Sequence, residues 1–233
     1  MPTKAKPQEE PLEEALSRID FLMARILEET SADAHLVAIG GEGNYRNSIY
    51  PAYKANRIGK PRPTHLATCK NHIKEKWDTQ VTIGIEADDL LGIEQNEDSV
   101  ICSIDKDLLQ IPGRHYNFVK QEWRSVDALS GLRSFYKQVI TGDASDNVPG
   151  FDGALRTTTP QFVQALLEPL ELCFDEDEMY RYVRDLYGDT WAWTGDWEIK
   201  LHTNAQLLFI QRKERKMWEP PFLGQTEEKE VSL

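Results

Sequence analysis

The sequence predicts an α/β fold: a mainly parallel sheet flanked by helices, with a C-terminal helical subdomain. Three observations predict it. Two β-branched runs, VTIGI (81–85) and SVICSID (99–105), read as short buried strands. Amphipathic helical patterns lie before, between and after them. Strands and helices alternate as far as Gly150, and beyond it only helical patterns recur.

Residues 1–11 are polar and proline-containing, and read as a disordered lead-in. From Leu12 onward, Leu16, Ile19, Leu22, Met23, Ile26 and Leu27 recur at spacings of three and four, which predicts a helix. HLVAIG, from His35, predicts a buried strand. Pro51, Gly59, Pro61 and Pro63 interrupt residues 44–63, so this stretch is expected to be a mobile basic loop or arch. Thr64 is placed to cap a helix reaching about Trp77. Leu129, Leu132, Phe135, Tyr136, Val139 and Ile140 mark a helix running into GDASDNVPG (142–150). Later helices are expected near 160–168, 178–187 and 204–216, with Trp191, Trp193 and Trp197 packing this part in preference to stacking on bases. The chain thus divides into a lead-in (1–11), a core (12–141) containing a basic arch (50–77), and a helical C-terminal region (142–233).

Composition narrows the function classes. At 233 residues and 40% hydrophobic content the chain can bury a core. No apolar run approaches the roughly 18 residues of a membrane span, and no signal-peptide pattern is present, so a cytoplasmic protein without a membrane partner is expected. Cys69, Cys102 and Cys173 are far apart and lack CxxC spacing, so they read as buried thiols and not as a disulfide framework or zinc site. The net charge is −12, yet residues 53–77 hold seven basic side chains against Glu75 alone. A +6 segment in a −18 remainder suggests one surface for phosphates and another for cations, the plainer alternative being a solvated helix face.

The acids are grouped as well. Glu86, Asp88 and Asp89 follow VTIGI, Asp105 and Asp107 follow the next strand, and Asp143 and Asp146 close a helix, where negative charge is disfavoured unless compensated. Each group alone fits a helix start or an Asx turn. Together they place seven carboxylates where strand ends would converge. Such crowding raises carboxylate pKa values and costs stability unless a cation restores the balance. Oxygen ligands without imidazole or thiolate select Mg²⁺ or Mn²⁺, and two such ions are the usual apparatus for attack of water on a phosphodiester. Lys54 and Arg57 are suited to hold the scissile phosphate.

YPAYKANR (50–57), IEADDLLG (85–92), SIDKDLLQ (103–110) and GDASDNVPG (142–150) together resemble the 5′-nucleases: phage 5′-to-3′ exonucleases, flap endonucleases and the nuclease domains of bacterial DNA polymerases. The resemblance runs from about residue 20 to 155. It implies a PIN-like nuclease core, an arch at YKANR and a helix–three-turn–helix element after the Asp-rich turn. By position it implies Glu86, Asp88, Asp89, Asp105 and Asp107 as ligands of a metal cluster, with Asp143 and Asp146 as a second-metal pair. It implies Lys54 as the catalytic lysine, Arg57 as a phosphate contact, Tyr53 stacking on a base, and Lys60 and Arg62 on DNA. Gly150 and Gly153 would open a duplex-binding hairpin with a K⁺ ion.

The implied activity is divalent-metal-dependent cleavage of DNA at 5′ ends and flaps in replication or primer removal. RNA–DNA hybrids and a replication polymerase are further implied partners, in the host cytoplasm if the protein is phage-encoded. The pattern departs from the family in three places. The family's first strand, which ends in Asp-Gly, is not seen before the first helix; Gly41 stands where an aspartate is common; and GFDGALRTTTP lacks the usual Gly-Ile-Gly hairpin core. The alternative expectation is therefore a relative that binds branched DNA without cutting it, and a PIN-type ribonuclease is a third.

Overall fold

The computed structural model describes residues 10–151 and 159–221. The expected lead-in lies outside the described residues up to residue 9, and so does most of the expected hairpin, Gly153 and its K⁺ site included. Helix α1 (Leu12–Thr30) begins where the apolar periodicity begins and stops at Ser31, whose left-handed backbone returns its N–H to the Glu28 carbonyl at 3.1 Å. Strand β1 (Val37–Glu42) follows, then the single turn α2 (Arg46–Ile49) and α3 (Leu66–Lys76). Helix α3 is preceded by His65 and has no side-chain cap, so the expected Thr64 cap is not formed.

Strand β2 (Thr79–Ile83) pairs parallel to β1, in register Val37↔Thr79 to Ile39↔Val81, but Val81 and Ile83 are exposed and only Thr82 is buried, so it is not the buried strand expected there. Helix α4 (Ala87–Glu94) leads to β3 (Val100–Cys102), which pairs parallel to β4 (Gly113–Asn117). Strand β5 (Glu122–Val126) then pairs antiparallel to β4. Two of the three pairings are parallel, in line with the expected fold class. Among the described residues the strands form two sheets, one of two strands and one of three. The β4–β5 hairpin is not apparent from sequence, because GRHYN and EWRSV are polar and four of the five β5 residues are exposed. It closes on the Asn117 side chain, which accepts the Val119 and Lys120 N–H groups at 3.1 and 2.9 Å, and on the cross-strand pair Tyr116–Trp123.

The main core belongs to the helices. Helix α5 (Ala128–Thr141) buries Phe135, Tyr136, Val139 and Ile140 against α6 (Pro160–Leu172), α7 (Glu176–Trp191) and α8 (Trp197–Leu208). Local signals set the starts of these helices: Asp127, Thr159 and Asp175 each cap the N–H three residues on, and Pro160 occupies a first-turn position, where no donor is needed. Tyr53 and Val148 enter this core from YPAYKANR and from GDASDNVPG, the latter lying between α5 and α6. A smaller cluster of Ile101, Leu108, Ile111 and Ile210 lies on the strand side.

Helix α8 lies earlier than the expected 204–216. Leu201, Ala205 and Leu208 form its buried face, whereas the charged run 212–216 offers no apolar stripe, and Ile210 instead leaves the helix to join the strand-side cluster. Trp191 and Trp197 pack against the core as expected, but Trp193 is 81% exposed and stacks on Trp191 with ring centroids 6.2 Å apart.

Gly142 and Gly150 bring the two ends of the Asp-rich turn back to back. Both have positive φ (+67° and +76°), and a Cβ on either would fall within 2.7 Å of the other's backbone or its neighbours'. Gly142→Ala is therefore expected to cost about 1–3 kcal/mol in denaturant unfolding. Gly188→Ala, in the interior of α7 with no atom nearer than 4.0 Å, should instead stabilise by up to about 1 kcal/mol. Equal effects at the two sites would contradict this account.

Candidate functional site

Local backbone chemistry places each carboxylate before tertiary packing gathers them. The chain leaves β2 through Gly84 and starts α4 at Glu86, whose backbone N–H donates to Asp89 at 3.0 Å while the Glu86 side chain caps the Asp89 N–H in return. Asp88 sits in the same first turn, where the helix dipole favours an acid. Asp105 accepts the Asp107 N–H at 2.9 Å and starts a 3-10 turn over Lys106–Gln110. Asp143 accepts both the N–H and the hydroxyl of Ser145 at 2.7 Å, so Asx-turn chemistry does operate in GDASDN, at its first aspartate.

Packing then brings Glu86, Asp88, Asp107, Asp143 and Asp146 to the wall of one cavity, with Arg46, Tyr53 and Gln138 beside them. Asp105 is exposed and does not line the cavity, although its charge acts on Asp88 and Asp107. The basic segment is docked over the Asp-rich turn, which corrects the expectation of a mobile loop there. The Lys54 N–H donates to the Asp146 carbonyl at 2.9 Å, Asn56 Nδ2 to the Ala144 carbonyl at 2.9 Å, and Asn147 Nδ2 to the Ala52 carbonyl at 2.8 Å. Lys54 Nζ pairs with Glu86 and lies 3.3 Å from Asp146, which Arg57 also contacts. Lys60 and Arg62 are exposed and stand apart from the cavity lining.

Two expected roles are corrected by burial. Tyr53 is only 5% exposed, so its ring is core and not a stacking platform; its hydroxyl lies 3.0 Å from both Glu86 and Asp146. Burial, reinforced by the Glu86 charge, pushes its pKa far above the ordinary tyrosine value and keeps it a neutral donor. Asp89 is fully buried and its oxygens are already engaged. They accept from Arg46 Nη1 at 2.6 Å and Nη2 at 2.9 Å, from the Gln211 N–H at 3.0 Å and from the Glu86 N–H. The third helical position turns this side chain back into the cap and the core, away from the cavity. Arg46 also donates to the carbonyls of Leu207 and Phe209, and Asp89 holds its guanidinium in the charged form despite the opposing cost of burial. Sequence reasoning missed Arg46 and Gln138; each is a lone polar residue whose partners are distant in sequence.

The electrostatics are only partly balanced. Burial, then the charges of Asp105 and Glu86, push Asp88 up to about 6, and burial, then Asp105 and Asp143, push Asp107 up to about 6. Among the described residues no three acidic, histidine or cysteine side chains converge closely enough to enclose a cation; Lys54 and the Tyr53 hydroxyl reach both Glu86 and Asp146, and Arg57 reaches Asp146. A larger concavity of about 640 Å³ lies elsewhere, lined by Tyr180, Trp197, His202 and Trp218. None of the acidic motifs reaches it. No described helix is long and apolar enough to cross a membrane.

The fold and the cavity define an α/β protein with an acidic centre faced by a docked lysine–arginine segment. The family described as "5'-3' exonuclease, N-terminal resolvase-like domain" matches residues 3–140, more than half of the chain, and the protein belongs to that family. It is 32% identical over 127 residues to a 5'-3' exonuclease of Buchnera aphidicola subsp. Schizaphis graminum, covering 46% of this chain and 44% of that one. It is 24% identical over 168 residues to the flap endonuclease Xni of Shewanella baltica, covering 64% of each. The chain thus spans less than half the length of the Buchnera protein and under two thirds of the Shewanella one. The T5 D15 protein co-crystallised with metal ions overlays 84% of this chain and 91% of its own, at 16% identity and a TM-score of 0.49.

Arg46→Met, which leaves Asp89 buried without its cation, is expected to cost about 3–5 kcal/mol. Adding Asp89→Leu should restore part of that loss in urea unfolding; a double variant less stable than the single one would refute the ion-pair account. Because Asp88 and Asp107 are raised from 3.8 to about 6, the folded state keeps protons that the unfolded chain gives up above about pH 4. Stability is therefore lost as pH rises through about 6. With a chelator present, Tm should fall between about pH 5 and pH 7.5, and Asp88→Asn with Asp107→Asn should flatten the slope. A Tm that climbs over that interval would show the sign to be wrong.

Proposed function

We propose that the protein hydrolyses DNA phosphodiesters at 5′ ends and flaps, as a 5′-to-3′ exonuclease and flap endonuclease that depends on divalent metal. One observation carries this reading: five carboxylates from three sequence motifs line a single cavity, and the lysine–arginine segment of a fourth lies against two of them. The family membership and the printed activities of the relatives support the same chemistry.

The donor chemistry suits a hard divalent ion, although the carboxylates do not enclose one while Lys54 and Arg57 hold Glu86 and Asp146. The donors are all oxygens, and burial, with the neighbouring acids adding to it, raises Asp88 and Asp107 to about 6, a cost that a cation would relieve. Glu86, Asp88, Asp107, Asp143 and Asp146 would hold the ions; Asp89 is left out of that set because Arg46 saturates it, and Asp105 acts at longer range. Bound there, Mg²⁺ or Mn²⁺ supplies a more acidic water and neutralises charge on the scissile phosphate. In the absence of DNA, Lys54 and Arg57 are held by Glu86 and Asp146. A phosphate entering the cavity takes over these cations, and the Arg57 guanidinium is suited to grip two of its oxygens. Tyr53 keeps Glu86 and Asp146 together during that exchange, since its hydroxyl reaches both.

The engagement of Lys54 and Arg57 with the acids also supports a second reading, in which the protein binds branched DNA without cutting it. A 5′-labelled flap substrate separates the two. The nuclease reading expects Mg²⁺-dependent product, reduced more than about 100-fold in the Asp143→Ala, Asp146→Ala double variant. Cleavage unchanged in that variant would overturn the assignment. Salt-sensitive flap binding with no product at any Mg²⁺ or Mn²⁺ concentration would establish the binding-only reading instead.

A further inference from the structure

The carboxylates of the cavity come from residues 86–146, yet the groups that hold them in place converge on a different part of the chain. Arg46, 2% exposed, donates through Nε to the Leu207 carbonyl at 2.8 Å and through Nη2 to the Phe209 carbonyl at 2.7 Å. Its other contacts go to Asp89, which also accepts the Gln211 N–H at 3.0 Å and caps the Glu86 N–H. That network fixes the first turn of α4, where Glu86 and Asp88 stand.

A second network starts one residue away. Gln110, 1% exposed, donates from Nε2 to the Leu208 carbonyl at 3.0 Å and to Oε1 of Gln138, and Gln138 Nε2 in turn donates to Asp107 Oδ1. Arg212 donates to the Gln110 carbonyl at 2.8 Å. Gly92 of α4 sits directly on the Gln211 carbonyl, where a Cβ would approach to 2.4 Å.

We infer that the stretch leaving α8, residues 207–212, is the common anchor of the acidic cavity, and that Gln138 is a positioning residue that aims Asp107 through the Gln110–Gln138 relay. The anchor lies beyond the residues that the family pattern covers. The physical logic is that of an outer shell. A carboxylate facing like charges will rotate away from them unless a donor fixes it, and a primary amide is the suitable donor because it orients without adding charge. Gln138 can present its N–H to Asp107 only if its oxygen is engaged, and Gln110 engages it. Gln110 is in turn pinned by a main-chain carbonyl, so the aim of Asp107 is set by backbone at the end of α8.

The inference rests on the reading of Asp107 as a metal ligand, and the experiment tests both separately. Mn²⁺ binding to the full chain is measured without DNA at pH 7.5 from the electron paramagnetic resonance signal of free Mn²⁺, with Tm recorded for each variant. Gln138→Leu should weaken Mn²⁺ binding about 10-fold or more. Gln110→Leu, whose side chain is bonded to Gln138 and Leu208 and not to the Asp107 carboxylate, should do the same, and the double variant should lose little beyond either single one, because both cut one relay. Leu132→Ala, on the same helix and destabilising by packing alone, should lower Tm and leave Mn²⁺ affinity unchanged. Affinity that stays within twofold in Gln138→Leu while the wild type binds Mn²⁺ would overturn the positioning role. Wild-type protein that binds no Mn²⁺, or binding unaffected by Asp107→Asn, would overturn the ligand reading and the inference with it.

Discussion

Crowding of negative charge is the constraint on which this structure turns. Five carboxylates share one cavity, and without DNA the protein meets the cost in three ways. Lys54 and Arg57 neutralise Glu86 and Asp146, Tyr53 donates a neutral hydrogen bond to the same pair, and Asp88 and Asp107 bind protons more tightly. Each device is reversible. Under the proposed function a divalent cation would displace the protons and a phosphate would take over the basic side chains, so the charge imbalance that burdens the free protein would also be the source of its affinity for both.

Stability and site are joined through the helices more than through the sheets. The main core lies among α5, α6, α7 and α8, and the Asp-rich turn is fastened to it by Val148 and by Asn204, whose amide donates to the Gly150 carbonyl at 2.7 Å and to the Tyr187 hydroxyl at 2.9 Å. Tyr187 itself donates to the Val139 carbonyl at 2.8 Å. A rigid helical body therefore carries Asp143 and Asp146, while α4 brings Glu86 and Asp88. The chain leaving α8 contacts both parts, which lets two halves of one site keep a fixed separation.

The element pattern was legible in sequence where one periodicity governed a whole segment, as in α1 and α5, or where a β-branched run stood between polar stretches, as in β2 and β3. It was not legible at β4–β5, where the hairpin has no apolar alternation and β5 is exposed, nor at α8, where the charged stretch after Leu208 looked helical by spacing alone. The site was legible as chemistry: Glu86, Asp88, Asp107, Asp143 and Asp146 were singled out by type and by place at element ends, and they do share a cavity. Asp89 and Tyr53 were misread in role because burial is not local information. Asp89 resembles Asp88 in sequence, but one helical position turns it toward Arg46 and the core.

By itself the sequence determined which segments could be helix or strand, which residues carried removable charge, and that acids and bases were segregated along the chain, because propensity, capping and charge are properties of neighbouring residues. Only the tertiary structure decided which carboxylates face the cavity, that the basic segment docks on the Asp-rich turn, and that Arg46 and Gln138 stand beside those carboxylates. Those outcomes depend on partners 31 to 163 residues away, Gln138 with Asp107 and Arg46 with Phe209, and hydrogen bonds of that reach exist only once the chain has packed.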